Sequence, residues 1–310
     1  KRALVAVGGG KDSIVSVEIM KQTGVVFDTW HSTYSGDNQA ITSVFEDSVT
    51  LRRILDPKMV AFSQADAVYQ GHIPPTAINS FLSLLLGEIY GYHYLIFSTE
   101  HSSNYGNMQY LGEEINHQWS KSKEFEDLFR SYVAGHINSE VNYFSLLRPF
   151  YEIEIVRRFC QYPQYFYRFS SCNRNFRINN PLTGKKWCGE CPKCAFVFCL
   201  MNAFLPKNQL AEIFGENLFA KQSLLDTYQQ LLGIKDIKPF ECVGTPDEVK
   251  VAFYMACEKG EYANDDVMKM FESEVLPTIK DVERMKQEVF SYGDDANIPE
   301  KFRTLIKVRP

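Results

Sequence analysis

The sequence contains no apolar run long enough to cross a membrane. The longest nearly apolar stretch, residues 194–205, is interrupted by Asn202 and falls well short of the ~20 residues that a transmembrane helix needs. The pattern of a secretory signal, with a charged start, an apolar stretch and a small-residue cleavage site, does not appear. With 310 residues, of which 45% are hydrophobic, we expect a soluble globular protein with one large domain, or one domain and an appendage.

The sequence also lacks an excess of positive charge. Its 33 lysines and arginines are outnumbered by 38 aspartates and glutamates, which argues against non-specific nucleic-acid binding because that binding relies on a basic surface. We therefore expect neither nucleic acid nor a membrane as the main partner. One stretch departs from this balance, since no acidic residue lies between Glu154 and Glu190. The basic residues of this candidate anion site are Arg157, Arg158, Arg168, Arg174, Arg177, Lys185 and Lys186.

A cysteine pattern typical of a disulfide framework is lacking as well. The eight cysteines are unevenly spaced, and three of them fall within the seven residues of "CGECPKC". This arrangement favours a reducing compartment and a metal site, so we expect a cytoplasmic protein. The first residue is Lys1 rather than methionine and directly precedes a predicted strand, which leaves open a processed or truncated chain that lacks an N-terminal domain.

Alternating strand and helix patterns occupy the first half of the sequence. Short apolar runs predict strands, and periodic runs bounded by proline or glycine predict helices. The predicted strands are residues 3–7, 25–32, 58–62, 94–99 and 143–147, and the predicted helices are residues 13–22, 39–55, 74–90 and 125–139. This alternation is typical of a mostly parallel sheet covered by helices on both faces. We assign residues 1–205 to this α/β domain and residues 206–310 to a mainly helical C-terminal region.

The glycines at residues 8–10 separate the first predicted strand from the first predicted helix. Such a loop turns backbone amides toward an anion at a helix N-terminus, so phosphate is the default ligand. A Walker A loop does not fit, because Asp12 follows Lys11 directly and Val5 stands where that loop needs a glycine. The dinucleotide fingerprint does not fit either, because Ser13 occupies its third glycine position.

This segment resembles the PP-loop, "SGGxDS", of the ATP pyrophosphatase superfamily, with glycine instead of the first serine. The resemblance implies an adenine-nucleotide alpha-hydrolase-like fold whose loop holds the pyrophosphate part of ATP while the α-phosphate is attacked, which yields an adenylated substrate. It also implies that Lys11 adds positive charge and that Asp12 orients the loop or meets magnesium. The residues implied to bind ATP are Gly8, Gly9, Gly10, Lys11, Asp12 and Ser13.

Four cysteines have the spacing of a zinc site. Cys188, Cys191 and Cys194 are separated by two-residue gaps, and Cys172 lies 16 residues before the first of them. Four thiolates are typical of a closed, structural zinc site, and a catalytic redox or persulfide role is disfavoured because such a site has no open position for substrate. The arrangement also resembles the zinc ligands of the 7-cyano-7-deazaguanine synthase branch of the PP-loop superfamily.

Longer phrases of the sequence look like one family within that superfamily, the UDP-N-acetylmuramoyl-L-alanyl-L-glutamate epimerases of the MurL type. The phrases are "VGGGKDS", "NHQWSKSKEFE", "SSCNRNFR", "WCGECPKCAFVF", "FGENLF" and "KPFECVG". The resemblance spans roughly residues 4–244 and implies an isomerase of peptidoglycan synthesis that uses ATP and magnesium to invert the terminal L-glutamate of a nucleotide-linked peptide. Adenylation would make the α-hydrogen more acidic, so that a base can invert the centre before hydrolysis releases AMP. Members of this family extend further at the N-terminus.

Candidate proton-transfer residues lie after the fourth predicted strand. Glu100 and His101 follow that strand, and His117 lies in the next loop; histidine titrates near the working pH, which suits proton transfer. Together with Lys11 and Asp12 they form the set of catalytic candidates. Candidates for binding carboxylate or diphosphate groups through charge-assisted hydrogen bonds are Lys121, Lys123, Arg174 and Arg177.

Two other functions stay open on the sequence. A PP-loop ligase of the 7-cyano-7-deazaguanine synthase type, acting on a nucleobase or tRNA, is favoured by the cysteine spacing but disfavoured by the acidic net charge and the helical region that follows. A zinc-stabilised nucleotide-binding module without turnover is consistent with Gly8 at the position of the loop serine. The sequence does not indicate an oligomeric state.

Overall fold

Strand β1 lies at the centre of a five-stranded parallel sheet in this computed structural model, which describes residues 1–33, 39–62, 68, 73–176, 184–235 and 237–307. The strands in chain order are β1 (Arg2–Ala6), β2 (Phe27–Thr33), β3 (Val49–Arg52), β4 (Tyr92–Phe97), the short pair β5 (Met108–Tyr110) and β6 (Glu113–Ile115), and β7 (Asn142–Ser145). The sheet has the order β3-β2-β1-β4-β7, and each neighbouring pair runs parallel. The prediction of a parallel α/β sheet is confirmed.

Helices cover both faces of this sheet. The helices of the first half are α1 (Lys11–Lys21), α2 (Gln39–Thr42), α3 (Pro57–Phe62), α4 (Pro75–Tyr90) and α5 (Lys123–His136). Ala3 and Val5 of β1 pack on one side with apolar residues of α1, whereas Leu4 packs on the other side with those of α4 and α5. All three side chains are fully buried, which explains why β1 is a continuous apolar run.

The described residues after β7 form helices and no strand. These helices are α6 (Glu152–Phe159), α7 (Pro192–Asn202), α8 (Lys207–Phe214), α9 (Leu225–Leu231), α10 (Pro246–Lys259), α11 (Asp266–Met270), α12 (Val282–Val289) and α13 (Glu300–Lys307). Their apolar faces join the same core cluster as Ala3 and Val5. Among the described helices, none combines the length and the apolar character that crossing a membrane requires.

The predicted strand at residues 58–62 is wrong, and the predicted helix at residues 39–55 is confirmed only for residues 39–42, which form α2. Residues 57–62 form α3, because Pro57 suits a first helical turn and the Asp56 carboxylate accepts a hydrogen bond from the Lys58 amide (2.8 Å). The third strand is instead β3, where Val49 pairs with Trp30 of β2. A four-residue edge strand such as β3 shows little periodicity in the sequence. The apolar run at residues 58–62 therefore gave a stronger strand pattern than residues 49–52, although it forms a helix.

The antiparallel pair of β5 and β6 was not predicted. The two strands are joined at Leu111 and Gly112, which both have positive φ angles of 52° and 85°. A two-residue turn of this kind is usually signalled by Asn-Gly or Asp-Gly, and Leu-Gly lacks that signal.

The strand order places a topological switch point between β1 and β4. From β1 the chain proceeds through β2 to β3 on one side, and then returns to β4 and β7 on the other side. Ligands of open parallel sheets bind at the carboxyl ends of the strands at such a point. The glycines that follow β1 and the residues that follow β4 both lie at this edge.

Candidate functional site

The glycine loop after β1 is shaped by two positions that exclude a side chain. Gly9 has a φ angle of +73°, a conformation that other residues adopt at a cost. A Cβ atom on Gly10 would lie 3.0 Å from the Ser171 hydroxyl oxygen, so residue 171 packs tightly against the loop. The Ser13 hydroxyl donates to the Gly10 carbonyl (2.9 Å) and accepts from the Gly8 amide (3.4 Å). The loop is thereby closed onto the first turn of α1.

Lys11 begins α1 and is fully buried, with no exposed side-chain surface. Its Nζ lies 2.5 Å from Asp12 Oδ1 and 2.6 Å from Glu152 Oε1. Burial lowers the pKa of the Lys11 ammonium, but the carboxylates of Asp12 and Glu152 outweigh it and hold that pKa above its ordinary value. A permanently charged lysine therefore lies beneath the glycine loop.

Glu152, the first residue of α6, joins two lysines. Its Oε1 atom accepts from Lys11 Nζ (2.6 Å) and from Lys193 Nζ (2.9 Å), while its backbone amide donates to the Ser102 hydroxyl (3.1 Å). Burial opposes ionisation, yet Lys11 and Lys193 lower the pKa of Glu152 to about 2. The Oε2 atom is buried and has no hydrogen-bond partner among the residues that the structure describes. Burying a carboxylate oxygen without a hydrogen-bond partner costs free energy, unless a bound ligand or ion supplies that partner.

Glu100 and Lys121 approach the same place from the end of β4 and from the 3-10 turn Trp119–Lys121. Burial raises the pKa of Glu100, and the negative charges of Glu152 and Asp12 raise it further. Burial lowers the pKa of Lys121, but Cys242 and Glu100 outweigh this effect and raise it above the ordinary value. The two side chains thus interact with each other and with the groups around Lys11.

A loop at residues 238–242 closes this group of side chains. Lys238 Nζ donates to the Tyr105 carbonyl (3.2 Å), and the Asn107 side-chain amide donates to the Pro239 carbonyl (2.8 Å). Burial lowers the pKa of Lys238 to about 8, against the opposing effects of Glu248, Glu152 and Glu100. An amine with such a pKa changes charge near neutral pH, which is a property of acid–base groups.

We call these residues the buried charge cluster. Its buried members are Lys11, Glu100, Glu152, Lys193 and Lys238, and its half-buried members are Asp12 and Lys121. Buried ammonium groups suit a phosphate or carboxylate ligand, and buried carboxylates suit a cation or a proton that is transferred. The arrangement is therefore suited to binding an anionic substrate and to moving a proton within it.

The structure brings four predicted site residues into the cluster, namely Lys11, Asp12, Glu100 and Lys121. The two histidine candidates have other surroundings. The His101 ring lies 4.5 Å from that of Tyr151, and burial and then Arg148 lower the pKa of this histidine. His117 Nδ1 lies 2.7 Å from the Asn107 side-chain oxygen, and its ring lies 6.0 Å from that of Phe240 in the 238–242 loop.

The remaining predicted substrate residues are engaged in ion pairs or fall outside the described ranges. Lys123 Nζ lies 2.6 Å from Asp127 on the surface of α5. Arg174 lies 3.1 Å from Glu190 beside the cysteine motif, and Arg177 lies outside the described residues. The other described arginines of the basic stretch pair with glutamates in the same way. These pairs are Arg157 and Arg158 with Glu154, and Arg168 with Glu46.

The four predicted metal-binding cysteines converge. The sulfur atoms of Cys172, Cys188, Cys191 and Cys194 all lie within 4.8 Å of one another, and Cys194 Sγ lies 3.6 Å from that of Cys188 and 3.5 Å from that of Cys191. A tetrahedral zinc ion with Zn–S bonds of ~2.3 Å sets its sulfurs ~3.8 Å apart. The donor set therefore fits zinc.

Three residues of the cluster were not assigned from the sequence. Glu152 follows the last strand of the sheet and shares the carboxyl edge with Glu100, so the same edge argument would have found it. Lys193 lies inside the cysteine motif, whose spacing predicts metal ligands and gives no indication of a functional lysine. Lys238 belongs to the phrase "KPFECVG", which carries no local pattern of a catalytic site.

Family models of known proteins match both halves of the chain. The family model of the MurL N-terminal domain matches residues 1–146, and that of the MurL C-terminal domain matches residues 168–286. The chain is 37% identical over 301 residues to the UDP-N-acetyl-alpha-D-muramoyl-L-alanyl-L-glutamate epimerase of Xanthomonas oryzae pv. oryzae, covering 96% of this chain and 66% of the relative.

Two further relatives carry the name of the same activity. The epimerase of a Micromonospora species is 37% identical over 305 residues, which cover 96% of this chain and 66% of the relative. That of Salinispora tropica is 37% identical over 272 residues, which cover 86% of this chain and 58% of the relative. The chain thus spans slightly less than two thirds of the length of the curated relatives that it matches.

Proposed function

Since the chain belongs to the MurL family, we propose that it inverts the terminal L-glutamate of UDP-N-acetylmuramoyl-L-alanyl-L-glutamate. The relatives in that family carry the name of this activity. The observation that carries the proposal is the buried charge cluster at the switch point of the sheet, directly beneath a glycine loop. Its lysines suit an anionic, nucleotide-linked substrate, and its carboxylates suit proton transfer at the glutamate α-carbon.

The glycine loop is the proposed ATP site, in keeping with its resemblance to a PP-loop. The N-terminus of α1 favours a negative charge, and Lys11 adds a buried positive charge beneath it. In the proposed reaction a carboxylate oxygen of the substrate attacks the α-phosphorus of ATP. The new acyl–oxygen–phosphorus bond forms while the bond to the β-phosphate breaks, and pyrophosphate leaves.

Asp12 and Glu152 are the proposed magnesium ligands. Mg²⁺ prefers carboxylate and phosphate oxygens, and Glu152 Oε2 is a buried acceptor that no described residue occupies. When bound there, the ion would neutralise part of the phosphate charge. Asp12 also pairs with Lys11 (2.5 Å), so its carboxylate is held at the loop.

Glu100 is the proposed base that removes the α-proton. Adenylation removes the negative charge of the substrate carboxylate, so the α-hydrogen becomes more acidic. The buried carboxyl of Glu100 has a raised pKa, chiefly because of its burial and secondarily because of Glu152, and a carboxylate with a raised pKa is a stronger base. The His101 ring contacts that of Tyr151, and His117 Nδ1 contacts the Asn107 side-chain oxygen, whereas Glu100 interacts with Glu152 and Lys121 of the cluster.

The four-cysteine group is the proposed structural zinc site. All four sulfurs converge to the spacing that zinc requires, and Cys191 caps the N-terminus of α7 by accepting from the Cys194 amide (3.4 Å). A closed tetrahedral site would fix the first turn of α7, and with it Lys193. The proposed role is therefore to hold a lysine of the buried charge cluster.

The decisive test is a reaction with ATP, magnesium and UDP-N-acetylmuramoyl-L-alanyl-L-glutamate. Released AMP is quantified and the configuration of glutamate is determined after acid hydrolysis on a chiral column. We expect AMP release that depends on the dipeptide substrate, together with accumulation of D-glutamate. AMP release only with a deazapurine carboxylic acid would assign a ligase of the 7-cyano-7-deazaguanine synthase type instead. Absence of AMP with either acceptor would contradict both enzymatic functions and favour a binding module.

A further inference from the structure

Arg148 follows β7 and is buried at the carboxyl edge of the sheet. Its guanidinium group donates a hydrogen bond to the Glu100 carbonyl (2.8 Å) and another to the Lys121 carbonyl (2.8 Å). Both residues belong to the buried charge cluster, but they come from different segments, one after β4 and one in the 3-10 turn Trp119–Lys121. One buried side chain therefore holds the backbone of the proposed base and that of a cluster lysine.

The guanidinium group of Arg148 is itself fixed by its other partners. Its Nε and Nη2 atoms both donate to Glu126 Oε2 of α5 (3.0 Å each). Nη2 also donates to the Thr99 hydroxyl (2.7 Å), and Nη1 to the Ser103 hydroxyl (3.2 Å). An arginine has five N–H donors in a rigid planar fork, and each nitrogen here has at least as many acceptors as hydrogens. The group is thereby held in one orientation.

Ser103 lies beside the same two carbonyls but cannot hold both of them. Its Oγ atom is 2.6 Å from the Glu100 carbonyl oxygen and 2.9 Å from the Lys121 carbonyl oxygen. A hydroxyl has one hydrogen to donate, so it bonds to one of these carbonyls at a time. Arg148 bonds to both at once, because Nη1 contacts the first and Nη2 contacts the second. The relative position of the two segments therefore depends on Arg148.

Proton removal requires that the base stays within hydrogen-bonding distance of the proton, and a misplacement of about 1 Å can cost roughly 100-fold in rate. We propose that Arg148 is a positioning residue, which fixes Glu100 relative to Lys121 for removal of the α-proton. This inference rests on the proposed epimerase function. Arg148 acts through Glu100 and does not touch the substrate, because its N–H groups are engaged within the protein.

A second buried arginine–glutamate pair provides a matched control. Arg158 Nε lies 2.9 Å from Glu154 Oε1, with 7% and 4% of the two side chains exposed. The pair of Arg148 is similar, with a distance of 3.0 Å and exposures of 3% and 2%. Arg158 also donates to a backbone carbonyl, that of Ile306 in α13 (3.2 Å). The two pairs thus match in burial and charge, but the contacts of Arg158 lie at α6 and α13 instead of at the proposed base.

The test compares Arg148→Lys with Arg158→Lys in two partial reactions. Lysine keeps the positive charge but carries its donors on one nitrogen, so it lacks the fork that spans both carbonyls. Adenylation is measured as ATP–pyrophosphate exchange with UDP-N-acetylmuramoyl-L-alanyl-L-glutamate, and proton removal as incorporation of solvent deuterium at the glutamate α-carbon. We expect Arg148→Lys to lower deuterium incorporation by about 100-fold relative to adenylation, with an unchanged KM for the dipeptide substrate. Arg158→Lys should leave the ratio of the two reactions unchanged.

Thermal unfolding of the same variants separates positioning from loss of folded protein. If Arg148 had only a structural role, its substitution would lower both partial reactions in the same proportion. That result would overturn the proposal, as would deuterium incorporation within about tenfold of that of the unaltered protein. Failure of the unaltered protein to release AMP would instead overturn the epimerase function, and this inference with it.

A second pair of variants decides the question if Arg148→Lys does not fold. Glu126→Gln keeps an oxygen acceptor but removes the negative charge that orients the guanidinium group, and Glu154→Gln is its control. We expect deuterium incorporation to fall at least about tenfold more than adenylation in Glu126→Gln, and the two reactions to change together in Glu154→Gln. Equal losses of both reactions in Glu126→Gln would overturn the positioning role of Arg148.

Discussion

Lys193 Nζ lies 2.9 Å from Glu152 Oε1, and this contact ties the cysteine motif to the carboxyl edge of the sheet. Lys193 stands between Cys191 and Cys194 in the first turn of α7, so its position follows from that of the two cysteines. Glu152 in turn holds Lys11 beneath the glycine loop (2.6 Å). Two ion pairs thereby connect the proposed metal site to the proposed nucleotide site.

We predict that Cys188→Ser lowers both zinc content and enzymatic activity. A structural zinc ion contributes directly to the free energy of folding, and its loss would also release Lys193 from Glu152. Metal content is measured by mass spectrometry, stability by thermal unfolding, and activity by AMP release. Cys257→Ser is the control, because the Cys257 thiol is not one of the four converging cysteines and donates a hydrogen bond to the Glu272 carboxylate instead (3.1 Å). Full zinc content in Cys188→Ser would refute the metal site.

We predict that Glu152→Gln destabilises the protein by about 3 kcal/mol. The substitution leaves Lys193 with no carboxylate partner in a buried site, and breaking a buried ion pair in this way costs ~3–5 kcal/mol. Urea-induced unfolding measures the change in free energy. Asp226→Asn is the matched control, because its pair with Lys235 has a similar distance (2.8 Å) but is largely exposed and is expected to contribute only ~0–1 kcal/mol. Equal effects of the two substitutions would contradict the structural role of Glu152.

We predict a pH-dependent effect of Lys238→Met. Burial lowers the pKa of Lys238 from 10.5 to about 8, so between these pH values the unfolded chain binds more protons and this group makes the protein more stable as pH rises. The buried charge of Lys238 destabilises the folded protein below pH 8 and no longer does so above pH 10.5, and Lys238→Met removes this charge. The variant should therefore exceed the unaltered protein in stability at pH 8, and this gain should be smaller at pH 10.5 by up to about 3 kcal/mol.

The measurement is urea-induced unfolding at several pH values across that window. Lys250→Met serves as a control, because Lys250 pairs with Asp247 at the surface of α10 (3.2 Å). A stability difference for Lys238→Met that does not change between pH 8 and pH 10.5 would show that Lys238 titrates normally.

We predict opposite tolerances for two neighbouring glycines. A Cβ atom on Gly8 would meet no atom within 4 Å, so Gly8→Ser should change stability by less than about 0.5 kcal/mol. Gly9 has a φ angle of +73°, so Gly9→Ala should destabilise the protein by about 1–2 kcal/mol. Thermal unfolding of the two variants compares them directly. A larger loss for Gly8→Ser would mean that the loop has a different conformation.

The same Gly8→Ser variant also tests the proposed ATP site, because it restores the serine of the PP-loop pattern. We expect that it keeps ATP-dependent AMP release and binds ATP at least as tightly as the unaltered protein, since the added hydroxyl is a further phosphate donor. Isothermal titration with ATP measures the affinity. Weaker binding would argue that the phosphates lie elsewhere.

The sequence was sufficient where a pattern is strong and local. The continuous apolar run at residues 3–7 predicted β1. The rule that ligands bind at the carboxyl ends of parallel strands predicted Glu100 as a site residue. It failed at β3, whose four residues form an edge strand with little periodicity, and the proline-initiated helix α3 was mistaken for a strand. Edge pairing depends on the neighbouring strand β2, which a local pattern does not contain.

The cluster could be predicted only in part for a related reason. Lys11 and Glu100 lie next to recognisable strands, whereas Lys238 comes from a loop without regular structure. Lys193 is placed by the fold of the cysteine motif, and the orientation of the His101 ring is decided by its contact with Tyr151 (4.5 Å). These contacts join segments that are far apart in the chain, so no short segment of the sequence contains both partners.

Glu152 lies between the two stretches that match the MurL domains, residues 1–146 and 168–286. It nevertheless joins Lys11 of the first stretch to Lys193 of the second. A chimera assembled from the two halves of different relatives would therefore need to inherit the connecting segment together with both lysines. For modular recombination, this connector belongs to the proposed active unit and is not an exchangeable linker.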